Sequence, residues 1–257
     1  MTDEQLTLSS DPSAPRISLV VPAHDEERYL PDLLDTVDRA RSRYAQGPGA
    51  VEVIVSDNAS TDRTAEIAAL RGCRVVYVAK RAIAAARNGG ARIARGEVLT
   101  FVDADTRIRP ETFNAIDAAI ASDRVVGGAT GVRLDRMSLG IACTHVLLIP
   151  MVWVTGFDTG VVFLRRADFE AIGGYDESIR WGEDVRLMVA MWRLGRSRGQ
   201  RLVRLRPVKA IASARKFDEH GDWHYFALVA RAIPWLFGNR GPADRIADRY
   251  WYGDRRR

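Results

Sequence analysis

The stretch Gly96-Glu97-Val98-Leu99-Thr100-Phe101-Val102-Asp103-Ala104-Asp105-Thr106 decides the fold. A turn glycine opens it, apolar, β-branched and aromatic residues fill it, and two carboxylates one residue apart close it. An apolar run of this length between polar boundaries predicts a strand buried on both faces, as in a parallel sheet. Side chains two apart on a strand share a face. Asp103 and Asp105 are therefore expected to look into one crevice at the strand's C-terminal end, where open α/β sheets bind ligands. Two carboxylates in such a place need a cation or donors, and a hard divalent ion with a phosphate-bearing ligand supplies both. The competing reading makes one of them a cap for a helix beginning near Pro110.

The same strand-then-polar-loop pattern repeats upstream. Arg16-Ile17-Ser18-Leu19-Val20-Val21-Pro22 predicts a first strand ended by Pro22, with Asp25-Glu26-Glu27 at the N-terminus of a helix reaching about 44. Val51-Glu52-Val53-Ile54-Val55-Ser56 predicts a second, followed by the loop Asp57-Asn58-Ala59-Ser60-Thr61-Asp62, in which Thr61 is the expected cap of a helix through 70. Arg74-Val75-Val76-Tyr77-Val78 predicts a third. A small-residue helix over 82–94 follows, expected to be interrupted at Asn88-Gly89-Gly90, where the backbone can come close to a ligand. Strand and helix thus alternate through the first 110 residues, the pattern of a nucleotide-binding-type half with right-handed crossovers.

The second half is less regular. A helix is expected from Pro110 to about 122, and a strand or hairpin arm over 125–134. The apolar segment 139–157 is broken by His145 and Pro150, which favours a core or interface-lying helix over a membrane span. A strand over 160–166 and a short helix over 167–172 come next. Trp181-Gly182-Glu183-Asp184 then opens a helix with Val185, Leu187, Met188, Met191 and Trp192 on its buried side and Gly195 at its close; 202–205 is the last expected strand. The expected organisation is a disordered leader (1–15), one α/β domain of two halves (16–106 for the nucleotide, 107–210 for the acceptor), and a C-terminal loop with an amphipathic helical extension (211–257).

Composition narrows the partners. A chain of 257 residues, 47% hydrophobic and 28% charged, suits a globular protein with a full core. The net charge of +5 comes almost wholly from arginine, the residue of bidentate phosphate contacts, which points to anionic ligands or anionic membrane surfaces. Cys73 and Cys143 are too few and too far apart for a disulfide framework or a zinc site, as befits a reducing cytoplasm. No basic region followed by an apolar run marks the N-terminus, so no signal peptide is expected.

Five stretches together resemble the family 2 glycosyltransferases of the GT-A fold. They are Val20-Val21-Pro22-Ala23-His24-Asp25-Glu26, Val55 to Asp62, Ala86-Arg87-Asn88-Gly89-Gly90, Phe101-Val102-Asp103-Ala104-Asp105, and Gly173-Gly174-Tyr175-Asp176-Glu177 with Glu183-Asp184. The resemblance implies a mostly parallel central sheet flanked by helices, and an inverting, metal-dependent transfer of sugar from a nucleotide-diphosphate sugar to a hydroxyl. It places Pro22, Ala23, His24 and Glu26 along the nucleoside, Asp57 on the base, Asp103 on the ribose or an outer-shell water, and Ala104 among the nucleotide-binding residues. Arg87 would face the diphosphate, and Asp105 would hold Mg²⁺ or Mn²⁺. Asp184 becomes the catalytic base, with Glu183 orienting the acceptor or capping the helix. Arg215 and Lys216 would reach the phosphates from a closing loop, and His220 the metal; the competing reading of that segment is a solvated charge run. An acceptor-only carboxylate at Asp57 suits the imide of uracil or the donor edge of guanine, with UDP favoured. His24 departs from the aromatic the family often carries there.

Downstream, Trp223, Tyr225, Phe226, Trp235, Leu236 and Phe237 interleave with Arg231 and Arg240, ahead of Arg255-Arg256-Arg257. That composition suits peripheral attachment to the inner face of an anionic membrane and a lipid-linked or cell-envelope acceptor; the competing reading has the same aromatics cover the back of the core or form a dimer contact. Without a long transmembrane stretch or a Gln-x-x-Arg-Trp sequence, single-sugar transfer is expected rather than processive polymerisation. A nucleotidyltransferase would open with a glycine-rich basic loop, which Pro22-Ala23-His24-Asp25-Glu26 is not. The arginines are dispersed and no nucleic-acid motif is present, which argues against a nucleic-acid partner.

Overall fold

β1 (Ile17–Ala23) is buried along its whole length, because it is flanked by parallel strands and covered on both faces. In the computed structural model, which describes residues 14–143, 146, 159–179, 182–215, 218 and 221–223, it pairs with β2 (Val51–Asp57) on one side and β4 (Val98–Phe101) on the other. β3 (Arg74–Tyr77) adds to β2 in parallel. β6 (Val125–Ala129), β8 (Val162–Arg165) and β9 (Arg201–Arg204) complete a seven-stranded sheet of order β3-β2-β1-β4-β8-β6-β9. β8 alone runs antiparallel to its neighbours. A three-stranded sheet of order β5-β10-β7 unites β5 (Thr106–Arg107), β10 (Ala210–Ala212) and β7 (Val132–Leu134).

Strand alternation sends side chains to two cores. Ile17, Leu19 and Val21 of β1 join Leu30, Leu33 and Val37 of α1 (Leu30–Ser42) and Phe113 and Ile116 of α4 (Thr112–Ile120). Val20 faces the opposite layer, with Ala84 of α3 (Ile83–Ile93), Phe169 of α5 (Arg166–Ala171) and Leu187, Met188 and Met191 of α6 (Glu183–Ser197). Each fully buried Val, Leu, Ile, Phe or Met side chain here contributes about 1.5–3 kcal/mol. α2 (Thr64–Leu70) packs beside β2 and β3 on the α1 side.

Several local expectations change. Pro22 does not end β1: it pairs in register with Ser56, and past Val20 no β4 residue lies opposite, so its missing N–H costs no ladder bond. α3 runs unbroken through Asn88-Gly89-Gly90. The glycines there serve helix-on-sheet packing, since a Cβ on Gly89 would land 2.5 Å from Val78 Cγ2 and one on Gly90 would overlap Val20 and Ser56. Thr61 caps nothing; α2 starts at Thr64, whose N–H donates to Asp62 Oδ1 at 2.9 Å. The strand ends at Phe101, so Asp103 and Asp105 stand in a turn instead of along one strand face. Neither caps α4, which begins at Thr112.

Val125–Leu134 forms two strands in different sheets, β6 and β7, and β10 lies across the boundary drawn at 210. On α6, Val185 and Trp192 are exposed, while Leu187, Met188 and Met191 are buried; the helix runs past Gly195. Most of 139–157 and of the aromatic C-terminal segment lies outside the described residues. Among the described residues no helix is long and apolar enough to cross a membrane, and Cys73 and Cys143 are unpaired.

Candidate active site

The strand order reverses between β1 and β4: β2 and β3 extend one way from β1, and β4 lies on the other side. A crevice opens at such a point beyond the carboxyl ends of the strands. There the loop after β1, the loop after β2 and the turn 102–105 converge. The first two are interlocked: the Asp25 N–H donates to Ser60 Oγ at 3.1 Å and the Thr61 N–H to Asp25 Oδ1 at 2.7 Å. Asp25 and Ala59 both hold left-handed backbone, φ 51° and 58°, a conformation that non-glycine residues adopt only when their surroundings impose it. Asp57, buried at the end of β2, accepts the Ser60 N–H at 3.0 Å. Pro22 and Ala23 end β1 beside it. His24 Nε2 lies 2.6 Å from Arg81 Nη2 and 3.5 Å from Asp25 Oδ2.

Arg87 is the centre of the second wall. It projects from α3, is 4% exposed, and pairs with three carboxylates: Nη1 with Glu183 Oε1 at 2.9 Å and Asp184 Oδ1 at 2.8 Å, and Nη2 with Asp103 Oδ1 at 2.9 Å. Its guanidinium stacks over the Tyr175 ring, 5.0 Å from the centroid. The resemblance points this arginine at a diphosphate; in the structure its terminal nitrogens pair with carboxylates. Neighbouring Asn88 fixes the same wall, donating to the Tyr175 carbonyl at 2.9 Å and Glu177 Oε1 at 3.0 Å and accepting the Tyr175 N–H at 2.9 Å. The stretch 173–177 is thus tied to α3 across almost ninety positions of chain, and the start of α6 across ninety-six and ninety-seven.

These contacts set the protonation of Asp184. Burial pushes its carboxyl up to about 6; the Arg87 charge pulls the other way, and the Glu183 and Asp103 charges add to the rise. A carboxylate in that range accepts a proton readily near neutral pH.

On the opposite side of the crevice sits Arg215. Its Nη1 and Nη2 make a fork on Glu26, 2.7 Å to Oε2 and 2.6 Å to Oε1, and its Nε lies 2.9 Å from Asp105 Oδ2. The guanidinium lies over the Tyr29 ring at 4.6 Å. Burial works against its charge, but the Glu26 hydrogen bonds and the Asp105 attraction prevail and keep it protonated. The turn therefore divides its two carboxylates between two arginines, Asp103 to Arg87 and Asp105 to Arg215, while Ala104 between them is buried.

Asp105 offers one hard carboxylate at the crevice. Among the described residues no group of three or more His, Cys, Asp or Glu side chains is placed to hold a metal. A divalent ion bound chiefly through phosphate oxygens needs only one or two protein carboxylates, so Asp105 fits that duty once Arg215 gives way. Lys216 and His220 lie outside the described residues.

Sequence reasoning missed the two aromatic rings beneath the arginines. Tyr175 lay inside a quoted motif and could have been found; Tyr29 could not, because the Glu26–Arg215 contact that brings Arg215 over it joins positions 189 apart.

Comparison with known proteins agrees with this fold. The family described as Glycosyl transferase family 2 matches residues 18–138. Validoxylamine A glucosyltransferase of Streptomyces hygroscopicus subsp. limoneus is 28% identical over 219 residues, covering 67% of this chain and 47% of the relative. The chain thus spans about half the length of the curated relatives it matches most fully. S. aureus TarS 1–349 in complex with UDP-GlcNAc superposes with a TM-score of 0.60 at 19% identity, over 78% of this chain and 59% of that one. Glucosyl-3-phosphoglycerate synthase of Mycobacterium tuberculosis, in complex with Mn²⁺, UDP and glucosyl-3-phosphoglycerate, gives 0.58 at 20% identity, over 85% and 80%. At these identities the two structures establish the fold.

Proposed function

Since the chain belongs to the family 2 glycosyltransferases and has the GT-A fold, we propose that it transfers a sugar from a nucleotide-diphosphate sugar to an acceptor hydroxyl, with inversion at the anomeric carbon. The observation that carries this reading is Asp184, held by Arg87 beside Glu183 and Asp103 at the crevice and poised to ionise near neutral pH. Asp184 takes the proton of the acceptor hydroxyl at ~2.6–3.2 Å as that oxygen attacks the anomeric carbon. The new C–O bond forms as the bond to the diphosphate oxygen breaks, and the electron pair leaves with the diphosphate. In-line displacement inverts the centre. Arg87 keeps Asp184 ionised and pointed, and Glu183 orients the acceptor.

Asp57 accepts from the base, and Pro22, Ala23, His24 and Glu26 line the nucleoside. UDP is favoured over GDP as the donor nucleotide; among solved structures of like fold, two hold a uridine nucleotide and one, at similar identity, GDP-mannose. Asp105 would hold Mg²⁺ or Mn²⁺, which supplies neutralisation of the charge growing on the departing diphosphate. Arg215, released from Asp105 and Glu26, then turns to the phosphates, joined by Lys216. The acceptor is a lipid-linked or cell-envelope hydroxyl reached from the cytoplasmic face, a reading that rests on the interleaved aromatics and arginines of the C-terminal segment.

The test is calorimetry with UDP and GDP, each with and without Mn²⁺. Tight binding of one nucleotide that depends on the metal is expected, UDP being that nucleotide. Binding of neither by folded protein would overturn the donor reading. Nucleotide binding without turnover of any UDP-sugar would leave a binding protein, not a transferase.

A further inference from the structure

Outside the crevice, the three-stranded sheet presents an arginine-lined hollow of about 450 Å³. Its floor is a cross-strand row: Arg107 pairs with Ile211, and Ile211 pairs with Arg133. Residues in register across a sheet share a face, so the two arginines flank Ile211 with backbones about 10 Å apart, twice the strand spacing. Thr106 and Ala210, on the alternate positions, are buried toward the core. Arg109 and, from α1, Arg39 close the rim.

Four guanidinium groups meet there and one carboxylate, Asp135, lines the same hollow. Asp135 is already engaged, lying 3.6 Å from Arg107 and accepting the Ala214 N–H at 3.0 Å. Arg39 reaches only a carbonyl of its own helix, that of Asp35. Among the described residues, Arg109 and Arg133 have no carboxylate partner. Like charges lining one concavity repel, and a surplus of three positive charges there is stabilised by an anion. Forked guanidiniums at this spacing match phosphate oxygens better than a lone carboxylate.

We propose that this hollow binds a phosphate-bearing group of two or more negative charges, with Arg107 and Arg133 gripping it across Ile211 and Arg109 and Arg39 completing the cage. None of its residues belongs to the donor crevice, so the site stands whether or not the transferase reading holds. β5 nevertheless begins directly after Asp105, and the Ser213 N–H donates to the Asp105 carbonyl at 3.3 Å.

The experiment uses the full chain in metal-free, EDTA-containing buffer. Pyrophosphate and inorganic phosphate are titrated by calorimetry, and vesicles of phosphatidylcholine with or without phosphatidic acid are tested by co-sedimentation. Saturable binding is expected, weakened at least tenfold in R107A/R133A and less in R107K/R133K, which keeps charge but loses the fork. Metal-dependent nucleotide affinity should be unchanged in each, which shows that the variants fold and separates this site from the donor crevice. R109Q, off the strands, gives an independent loss of about threefold. Binding in the soluble arm alone identifies a free phosphate ester; binding to phosphatidic acid vesicles identifies a lipid headgroup. No saturable binding in either arm, or equal affinity of R107A/R133A and the parent, overturns the proposal and leaves a solvated basic face.

Discussion

Replacing Arg87 by methionine keeps much of the side-chain volume and removes the one charge that three carboxylates share. Removing one partner of a buried ion pair costs about 3–5 kcal/mol. Asp103 and Asp184 keep side-chain exposures of 51% and 26%, so the loss sits at the low end, about 3 kcal/mol. For a chain of this size that corresponds to a melting temperature lower by about 6–12 °C. The loss also depends on pH in a defined direction. Without Arg87, Asp184 is pushed above the value of about 6 it has in the intact site, because burial and the Glu183 and Asp103 charges now act unopposed. A carboxyl whose folded pKa lies above its unfolded value favours folding at acid pH, and that advantage disappears as pH rises through the folded value. R87M should therefore melt close to the parent at pH 4.5 and far below it at pH 8. The acid limb of any transfer rate should move upward with the Asp184 pKa. The assay is thermal unfolding by circular dichroism across pH 4.5–8, with R87K alongside. A deficit that is the same at every pH, or none at pH 8, would refute the account of Arg87 as the counter-charge of the site.

Other consequences are shorter. D184N should lower transfer by about 10²–10⁴ while its melting temperature at pH 7–8 holds or rises, since an ionised carboxylate beside Glu183 and Asp103 is lost; a rate within threefold of the parent sinks Asp184 as base. D105N should abolish the Mn²⁺ dependence of nucleotide binding, whereas R215M, by uncovering Asp105 and Glu26, should tighten Mn²⁺ binding in the absence of nucleotide several-fold, read by calorimetry. G90A ought to destabilise by about 1–3 kcal/mol from overpacking, although alanine is ordinarily the better helix residue, because the new methyl meets Val20 and Ser56. Unchanged or improved melting of G90A would show that α3 can lift off the sheet.

The sequence by itself determined the parallel core, because strands buried on both faces read as continuous apolar runs. β1, β2, β4 and β8 all fall where such runs predict, and the edge strand β3, exposed at Val75 and Tyr77, falls where its β-branched and aromatic residues do. It also determined which residue types gather at the strand ends, since Asp57, Asp103, Asp105 and Glu183-Asp184 interrupt apolar or helical segments and stand out locally. The short strands β5 and β10 gave no such signal, being two or three residues long, and the expected arm over 125–134 did not reveal that its end, β7, pairs with them in a separate sheet. Tertiary structure alone decided how the charges are shared. Whether Arg87 meets phosphate or carboxylate depends on α3 lying against the start of α6, a contact ninety-six and ninety-seven positions long in the chain. That Asp103 and Asp105 answer to different arginines depends on the strand stopping at Phe101 and on a segment near 215 returning to Glu26. Local pattern encodes burial and period; ion pairing across the fold depends on which surfaces the chain brings together, and no period in the sequence records that.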